Sequence, residues 1–302
     1  MEENDFGANL NKIIEKMARF EKKNDESNPK FQDWIEKITD PSFSLIPSLL
    51  DYFLDEMTPQ ETREKICKLL VKLMILQEET VTEQLLANKN FPIVCVQFIT
   101  KGDKSKMSDN PFYLLTKLFQ EEKFAEFINE NFIEALFDGL AVVYQEDILI
   151  GIVEVLIEIN SNYKNNNENL FLKVHKNNSN SRLIDELLLR VLNKETNKNK
   201  ILKILLCLNN LMANENCPIF YESDLESLID IIMNKLQSTS TEDVKLFFLQ
   251  TLAKVTSYEA YYHSKYKDEE LIELMTDFLD RDDQSNEVKQ FAQEVSDNIT
   301  NH

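Results

Sequence analysis

Thr58-Pro59-Gln60-Glu61-Thr62-Arg63-Glu64-Lys65-Ile66-Cys67-Lys68-Leu69-Leu70-Val71-Lys72-Leu73-Met74 reads as the opening of an amphipathic helix. Thr58 supplies a cap, Pro59 a residue preset for the first turn, and Glu61 the reciprocal acid. Ile66, Leu69, Leu70, Leu73 and Met74 then fall at the three- and four-residue spacing that aligns side chains on one face. The same spacing continues upstream in Leu10, Ile13, Ile14, Met17 and Phe20, then in Phe31, Trp34, Ile35 and Ile38. Downstream it predicts helices over Phe112 to Phe119, Phe132 to Tyr144 and Ile148 to Ile159, the last apolar nearly all round and so expected to be buried centrally. Leu183 to Leu192 and Ile201 to Met212 form a further pair, and Ser223-Asp224-Leu225-Glu226 reads as a second capping box opening Leu228 to Leu236. Thr241 to Val255 and Glu270 to Leu279 continue the alternation. Val288, Phe291, Val295 and Ile299 make the single apolar stripe of a terminal helix with one wet face.

With only 4 Gly and 7 Pro in 302 residues, the chain lacks the turn chemistry of sheets and hairpins. The expected class is all-α, an armadillo/HEAT-like helical-repeat solenoid whose helix pairs recur irregularly at roughly 40 residues. No stretch rich in Pro, Gly or Ser marks a linker, so residues 1–302 read as a single armadillo-like helical domain.

The charge balance, 33 Lys plus Arg against 53 Asp plus Glu, gives a net charge of -20. Such a field repels nucleic acid phosphates and anionic headgroups and favours a protein partner, a basic surface suiting it best. Cys67, Cys95, Cys207 and Cys217 are scattered, the first three within apolar helical patterns, as expected of reduced core thiols. No segment is apolar over a membrane-spanning length and the start, Met-Glu-Glu-Asn-Asp, lacks a basic leader, so the expected location is cytoplasmic.

Chemistry-bearing patterns are missing. His175, His263 and His302 stand away from any Cys at metal-ligand spacing; Gly7, Gly102, Gly139 and Gly151 are isolated and form no phosphate loop; no Gly-x-Ser-x-Gly elbow occurs. Acidic pairs such as Asp282 and Asp283 lie in charged turns. The reading is a binding protein rather than an enzyme, without cofactor, metal or small-molecule substrate. The polar run from Asn160 to Asn199, with Asn162, Asn165, Asn166, Asn167, Asn169, Asn177, Asn178 and Asn180, reads as loops around a short helix and as compositional bias or a tolerated insertion rather than a site.

One cluster differs from its surroundings. Tyr258, Tyr261, Tyr262, His263, Lys265 and Tyr266 combine amphipathic rings with positive charge in a short helix connection. Two readings stand: an interface hot spot, or rings that plug the gap between helix pairs. Tyr258, Tyr262, His263, Lys265 and Tyr266 are the candidate partner-binding residues. Ile219-Phe220-Tyr221, before the expected capping box, reads as a hydrophobic staple.

The segment Ile219-Phe220-Tyr221-Glu222-Ser223-Asp224, followed by Leu228-Ile229-Asp230-Ile231, resembles the leucine-rich domain of the WISH/DIP family, also called SH3 protein interacting with Nck. Leu187-Leu188-Leu189-Arg190-Val191-Leu192-Asn193 upstream, and Thr256-Ser257-Tyr258 with Tyr262-His263-Ser264-Lys265 downstream, extend the resemblance over residues 183–279. Ile219, Phe220, Tyr221, Ser223, Asp224 and Asp230 carry the motif in structural roles. The resemblance implies an armadillo-like domain that binds the actin-related protein 2/3 complex and activates it, without a preformed filament, to nucleate linear actin filaments. Its site would then be the actin cortex or actin patches, with filament ends touched only indirectly. The chain shows neither the N-terminal SH3 domain nor the proline-rich stretch of animal members and is similar to shorter fungal-type forms. Its only tryptophan is Trp34, so the acidic tail with a terminal tryptophan of WASP-type activators is not present. The alternative is a generic armadillo-like adaptor that holds another protein or a kinase.

Overall fold

A computed structural model describes residues 3–21, 28–101, 108–120, 128–163, 168–213, 221–239 and 241–301; among these there is no strand and no cis peptide bond. The helices are α1 (Glu3–Glu21), α2 (Pro29–Thr39), α3 (Leu45–Leu54), α4 (Gln60–Leu76), α5 (Glu78–Leu86), α6 (Phe91–Lys101), α7 (Asn110–Leu118), α8 (Glu130–Val142), α9 (Glu146–Ser161), α10 (Leu170–Asn177), α11 (Ser181–Lys194), α12 (Lys198–Met212), α13 (Glu222–Ser238), α14 (Glu242–Thr256), α15 (Glu259–Ser264), α16 (Asp268–Asp280) and α17 (Asn286–Thr300). The all-α, helical-repeat class expected from the periodicity is the class observed. The chain divides into two compact units, Met1–Val155 and Leu156–His302, with the division inside α9. No Pro- or Gly-rich composition accompanies it, which is why it left no trace in the sequence.

In the first unit α4 packs against α1, α2, α3, α5 and α7, and α6 against α3, α7 and α8. Ile66, Cys67, Leu69, Leu70 and Leu73 of α4 are fully buried, as their spacing predicted. The helix itself begins later than expected. Pro59 is the N-cap, its carbonyl accepting from Thr62 and Arg63 N–H at 3.0 and 3.1 Å, and no side chain caps the helix. Thr58 instead ends a turn closed on the Asp55 carbonyl at 3.0 Å. Gly151 has a packing role: a Cβ there would sit 2.8 Å from Cβ and Cγ of buried Phe112.

In the second unit the pairs α11/α12, α13/α14 and α16/α17 stack so that α12, α14 and α17 form one row. Hydrogen bonds across the row keep a period of 45 residues, longer than the expected spacing. Lys254 Nζ donates to the Asn209 carbonyl at 3.1 Å, Asn298 Nδ2 to the Ala253 carbonyl at 2.9 Å, and Lys198 Nζ to Asp243 at 2.8 Å, each pair 45 apart. α9 is buried on almost every side, as its all-round apolarity required. Within α12 Leu206 is only half-buried, whereas Ile232 of α13 is fully buried.

The Asn-rich stretch contains the expected short helix, α10, and its Asn side chains have structural roles beyond compositional bias. Asn169 caps α10 by accepting from Phe171 and Leu172 N–H at 3.1 and 3.4 Å, and Asn197 caps α12 by accepting from Asn199 and Lys200 N–H at 3.0 and 3.2 Å. Asn160 is fully buried, its Oδ1 accepting from Asn169 at 2.8 Å and Asn210 at 3.3 Å. A short amide side chain offers the backbone an alternative partner, so Asn169 and Asn197 start helices instead of diluting them. Asn165, Asn166 and Asn167 lie outside the described residues.

Candidate partner-binding site

The Tyr-rich connection is a short helix between two bends. α15 is flanked by its N-cap Tyr258 and its C-cap Lys265, which is left-handed with φ 48°; Tyr266 follows, then Lys267 with φ 58°, and α16 begins. Left-handed backbone at a non-glycine residue is costly and persists only where its surroundings over-determine it. Here Lys265 N–H bonds the Tyr261 carbonyl at 2.8 Å, and the Lys267 carbonyl accepts from Leu271 N–H at 2.9 Å. Asp230 reaches the same turn from α13. Its two carboxylate oxygens each accept from the Tyr266 hydroxyl at 3.2 Å, and Oδ1 also pairs with Lys267 Nζ at 2.7 Å. Desolvation together with the Asp230 hydrogen bond raises the Tyr266 hydroxyl, and the same carboxylate raises the Lys267 ammonium. Asp230 of the sequence motif and Tyr266 of the Tyr-rich cluster, 36 residues apart, thus form one pin.

The two readings of the cluster divide between its residues. Tyr261 is 2% exposed, bonds Asp268 through its hydroxyl and is pushed up by burial first and by that carboxylate second. Tyr258 is half-buried, with its hydroxyl on the Met212 carbonyl. Together with Tyr266 these rings fill and tie the connection. Tyr262 is half-buried with its hydroxyl on the Ser257 carbonyl at 2.9 Å, and His263 and Lys265 are exposed, the His263 ring 3.9 Å from Glu259 one turn back. The exposed members of the cluster are therefore His263 and Lys265, with Tyr262 half-buried beside them.

The motif before α13 is arranged differently from the expected box. Tyr221 is the N-cap, and Asp224 at the third helical position accepts from its N–H at 3.1 Å. Ser223 is already inside the first turn, its carbonyl accepting from Ser227 Oγ at 2.8 Å. A helix that starts two residues early leaves Glu226 in mid-helix. Tyr221 is no staple: 58% exposed, it lies under the Arg182 guanidinium at 4.3 Å. Asp224 and Asp230, six positions apart on α13, point from different faces of the helix. Ile219, Phe220 and Cys217 lie outside the described residues.

Sequence reasoning overlooked one polar pair. His175 Nε2 and Asp185 Oδ1 are 2.8 Å apart, both side chains almost fully buried, joining α10 to α11. Burial raises the Asp185 carboxyl although the His175 hydrogen bond opposes it. An isolated His and an Asp ten residues on give no periodic signal, so only the contact between α10 and α11 reveals them. The buried Cys67, Cys95 and Cys207 thiols are all pushed up by desolvation, which holds them in the unreactive protonated form. Among the described residues no three His, Cys, Asp or Glu side chains are grouped to hold a metal ion, and no helix is long and apolar enough to cross a membrane.

Residues 145–271 match the family model of the SPIN90/Ldb17 leucine-rich domain, the family that the motifs resemble. The match covers somewhat under half of the chain and begins earlier than the 183–279 segment in which the motifs lie, taking in α9 and α10. It includes the Asp230–Tyr266–Lys267 pin. No curated protein matches the chain in a sequence search.

Proposed function

We propose, from the match to the SPIN90/Ldb17 leucine-rich domain, that this chain binds the actin-related protein 2/3 complex and activates it to nucleate linear actin filaments without a preformed filament. That domain family is linked to regulation of the actin cytoskeleton and is of scaffold type. Activation requires a ligand that binds the active arrangement of the complex more tightly than the inactive one. Moving a two-state equilibrium from 1:99 to 99:1 takes about 5.5 kcal/mol of differential affinity, within reach of a standard interface with a few hot spots. The 45-residue hydrogen-bond ladder of the second unit supports this reading, because a stiff surface loses little conformational entropy on docking. Tyr262, His263 and Lys265 are proposed to face the partner, with Tyr258 and Tyr266 holding the turn in shape.

The test is pyrene-actin polymerisation with the complex and this chain, without seed filaments or a WASP-type protein. A shortened lag and unbranched filaments under the microscope are expected. A lag equal to that of the complex alone at saturating chain concentration refutes the proposal and favours the generic adaptor.

A further inference from the structure

Charge is unevenly distributed along the chain. Residues 170–203 hold eight cations, Lys173, Lys176, Arg182, Arg190, Lys194, Lys198, Lys200 and Lys203, and only three acids, Asp185, Glu186 and Glu195, in a protein whose net charge is -20. The three acids are engaged locally. Asp185 is buried on His175, Glu186 pairs with Arg182 at 3.3 Å, and Glu195 Oε1 accepts from Thr196 and Asn197 N–H at 2.8 and 2.7 Å, its other oxygen lying 4.0 Å from Lys200. Around the connection from α11 to α12 the cations gather in space. Arg190 and Lys194 are one turn apart on α11, Lys198 and Lys200 open α12, and Lys235 of α13 donates to the Glu195 carbonyl at 2.6 Å. The first four are exposed.

Local stability does not account for all of them. Lys194, in the last turn of α11, suits the negative end of the helix dipole. Lys198 and Lys200 occupy the first turn of α12, where the dipole disfavours positive charge, and that turn contains no acid. Lys198 meets Asp243 across the row, but an exposed pair of this kind adds little stability. The first turns of α13, α14, α16 and α17 contain acids, whereas those of α10 and α11, like that of α12, contain none. Charges placed against local preference mark positions where something other than folding sets the residue.

We infer that the exposed basic face around the α11–α12 connection docks on an acidic surface of the protein partner. This rests on the proposed function, and the partner surface it fits is a folded, carboxylate-rich one. Complementary fields steer encounter and act chiefly on the association rate. The acidic remainder of this chain repels the same surface, so the approach is oriented by this face.

The experiment measures association of the purified chain with the actin-related protein 2/3 complex across about 50 to 300 mM salt, where screening spans this range of interactions. The parent is compared with Lys194→Glu/Lys198→Glu/Lys200→Glu, with the milder Gln triple at the same positions in case reversal disturbs folding, and with Lys30→Glu/Lys37→Glu/Lys65→Glu, which changes net charge equally elsewhere. The expected result is an association rate lowered about 10-fold at low salt in the first triple, less in the Gln triple and not in the third, with a flatter salt dependence. An unchanged rate in both patch variants, with the parent still binding, overturns the assignment of this face and leaves the partner standing. A parent that does not bind the complex removes the proposed function and this inference with it. Vesicles containing phosphatidylserine that retain the parent but not the patch variants assign the face to lipid and overturn the protein-docking inference.

Discussion

Replacing His175 by Ala isolates the cost of a buried carboxyl. In the parent, His175 Nε2 stands 2.8 Å from Asp185 Oδ1, with 2% and 4% of the two side chains exposed, and the imidazole packs 5.8 Å from the Phe171 ring. Removing the ring leaves the carboxyl without this partner and opens a small cavity; breaking a buried pair in this way costs about 3 to 5 kcal/mol. The loss depends on pH with a defined sign. The folded carboxyl titrates above its ordinary 3.8, and the imidazole is what holds it down, so His175→Ala raises it further. A raised folded value means that stability is fully present below the unfolded value and is lost as pH rises through the folded one. The penalty of the variant is therefore smallest near pH 4 and grows towards neutrality, by about 1.4 kcal/mol for every tenfold weakening of the folded acid. Urea unfolding at pH 4.5 and 7.5 reads this directly. His175→Ala/Asp185→Leu, which removes both polar groups, is expected to recover much of the neutral-pH loss. A cost for His175→Ala below about 1 kcal/mol, equal at both pH values, refutes the reasoning.

Asn197→Ala removes the side-chain cap of α12 and is expected to lower stability by about 1 kcal/mol in chemical denaturation. Gly151→Leu, which drives a large side chain into Phe112, is expected to cost more than Gly151→Ala, whose overpacking of about 1 to 3 kcal/mol is partly offset by about 1 kcal/mol of helix propensity. Lys265→Gly relieves a left-handed backbone and is expected to raise the melting temperature, while His263→Ala leaves it within error because the ring is 76% exposed. If Tyr262, His263 and Lys265 face the partner, His263→Ala/Lys265→Ala weakens binding in a pull-down of the complex without lowering the melting temperature; unchanged binding removes that face from the interface.

Helix existence is legible in the sequence because burial imposes a period: Ile66, Leu69, Leu70 and Leu73 read as one stripe and are one stripe. Cap positions are harder to read because several chemistries compete for the same orphan N–H groups. Thr58 has the chemistry of a cap, yet the neighbouring Pro59 carbonyl already begins the helix. The Asn run misleads for a related reason. Asn160 and Asn169 differ in no local respect from their neighbours, and only the packing of chain around them makes one a buried acceptor and the other a cap. The Tyr-rich connection is recognisable by composition, but the division into Tyr258, Tyr261 and Tyr266 inside and His263 and Lys265 outside depends on which hydroxyls find Met212, Asp268 and Asp230. Those partners lie up to 46 residues away.

The 45-residue ladder also limits how this chain can change length. Lys198 with Asp243 and Asn209 with Lys254 join α12 to α14, and Ala253 with Asn298 joins α14 to α17, each pair 45 residues apart. A residue added within α14 rotates everything beyond it by about 100° and swings the following rungs out of reach, since one helical turn takes 3.6 residues. The same residue added in the connection at 281–285, between α16 and α17, leaves both α14 and α17 internally in phase. Such a molecule accepts growth at its connections or by whole helix pairs, and resists it everywhere between.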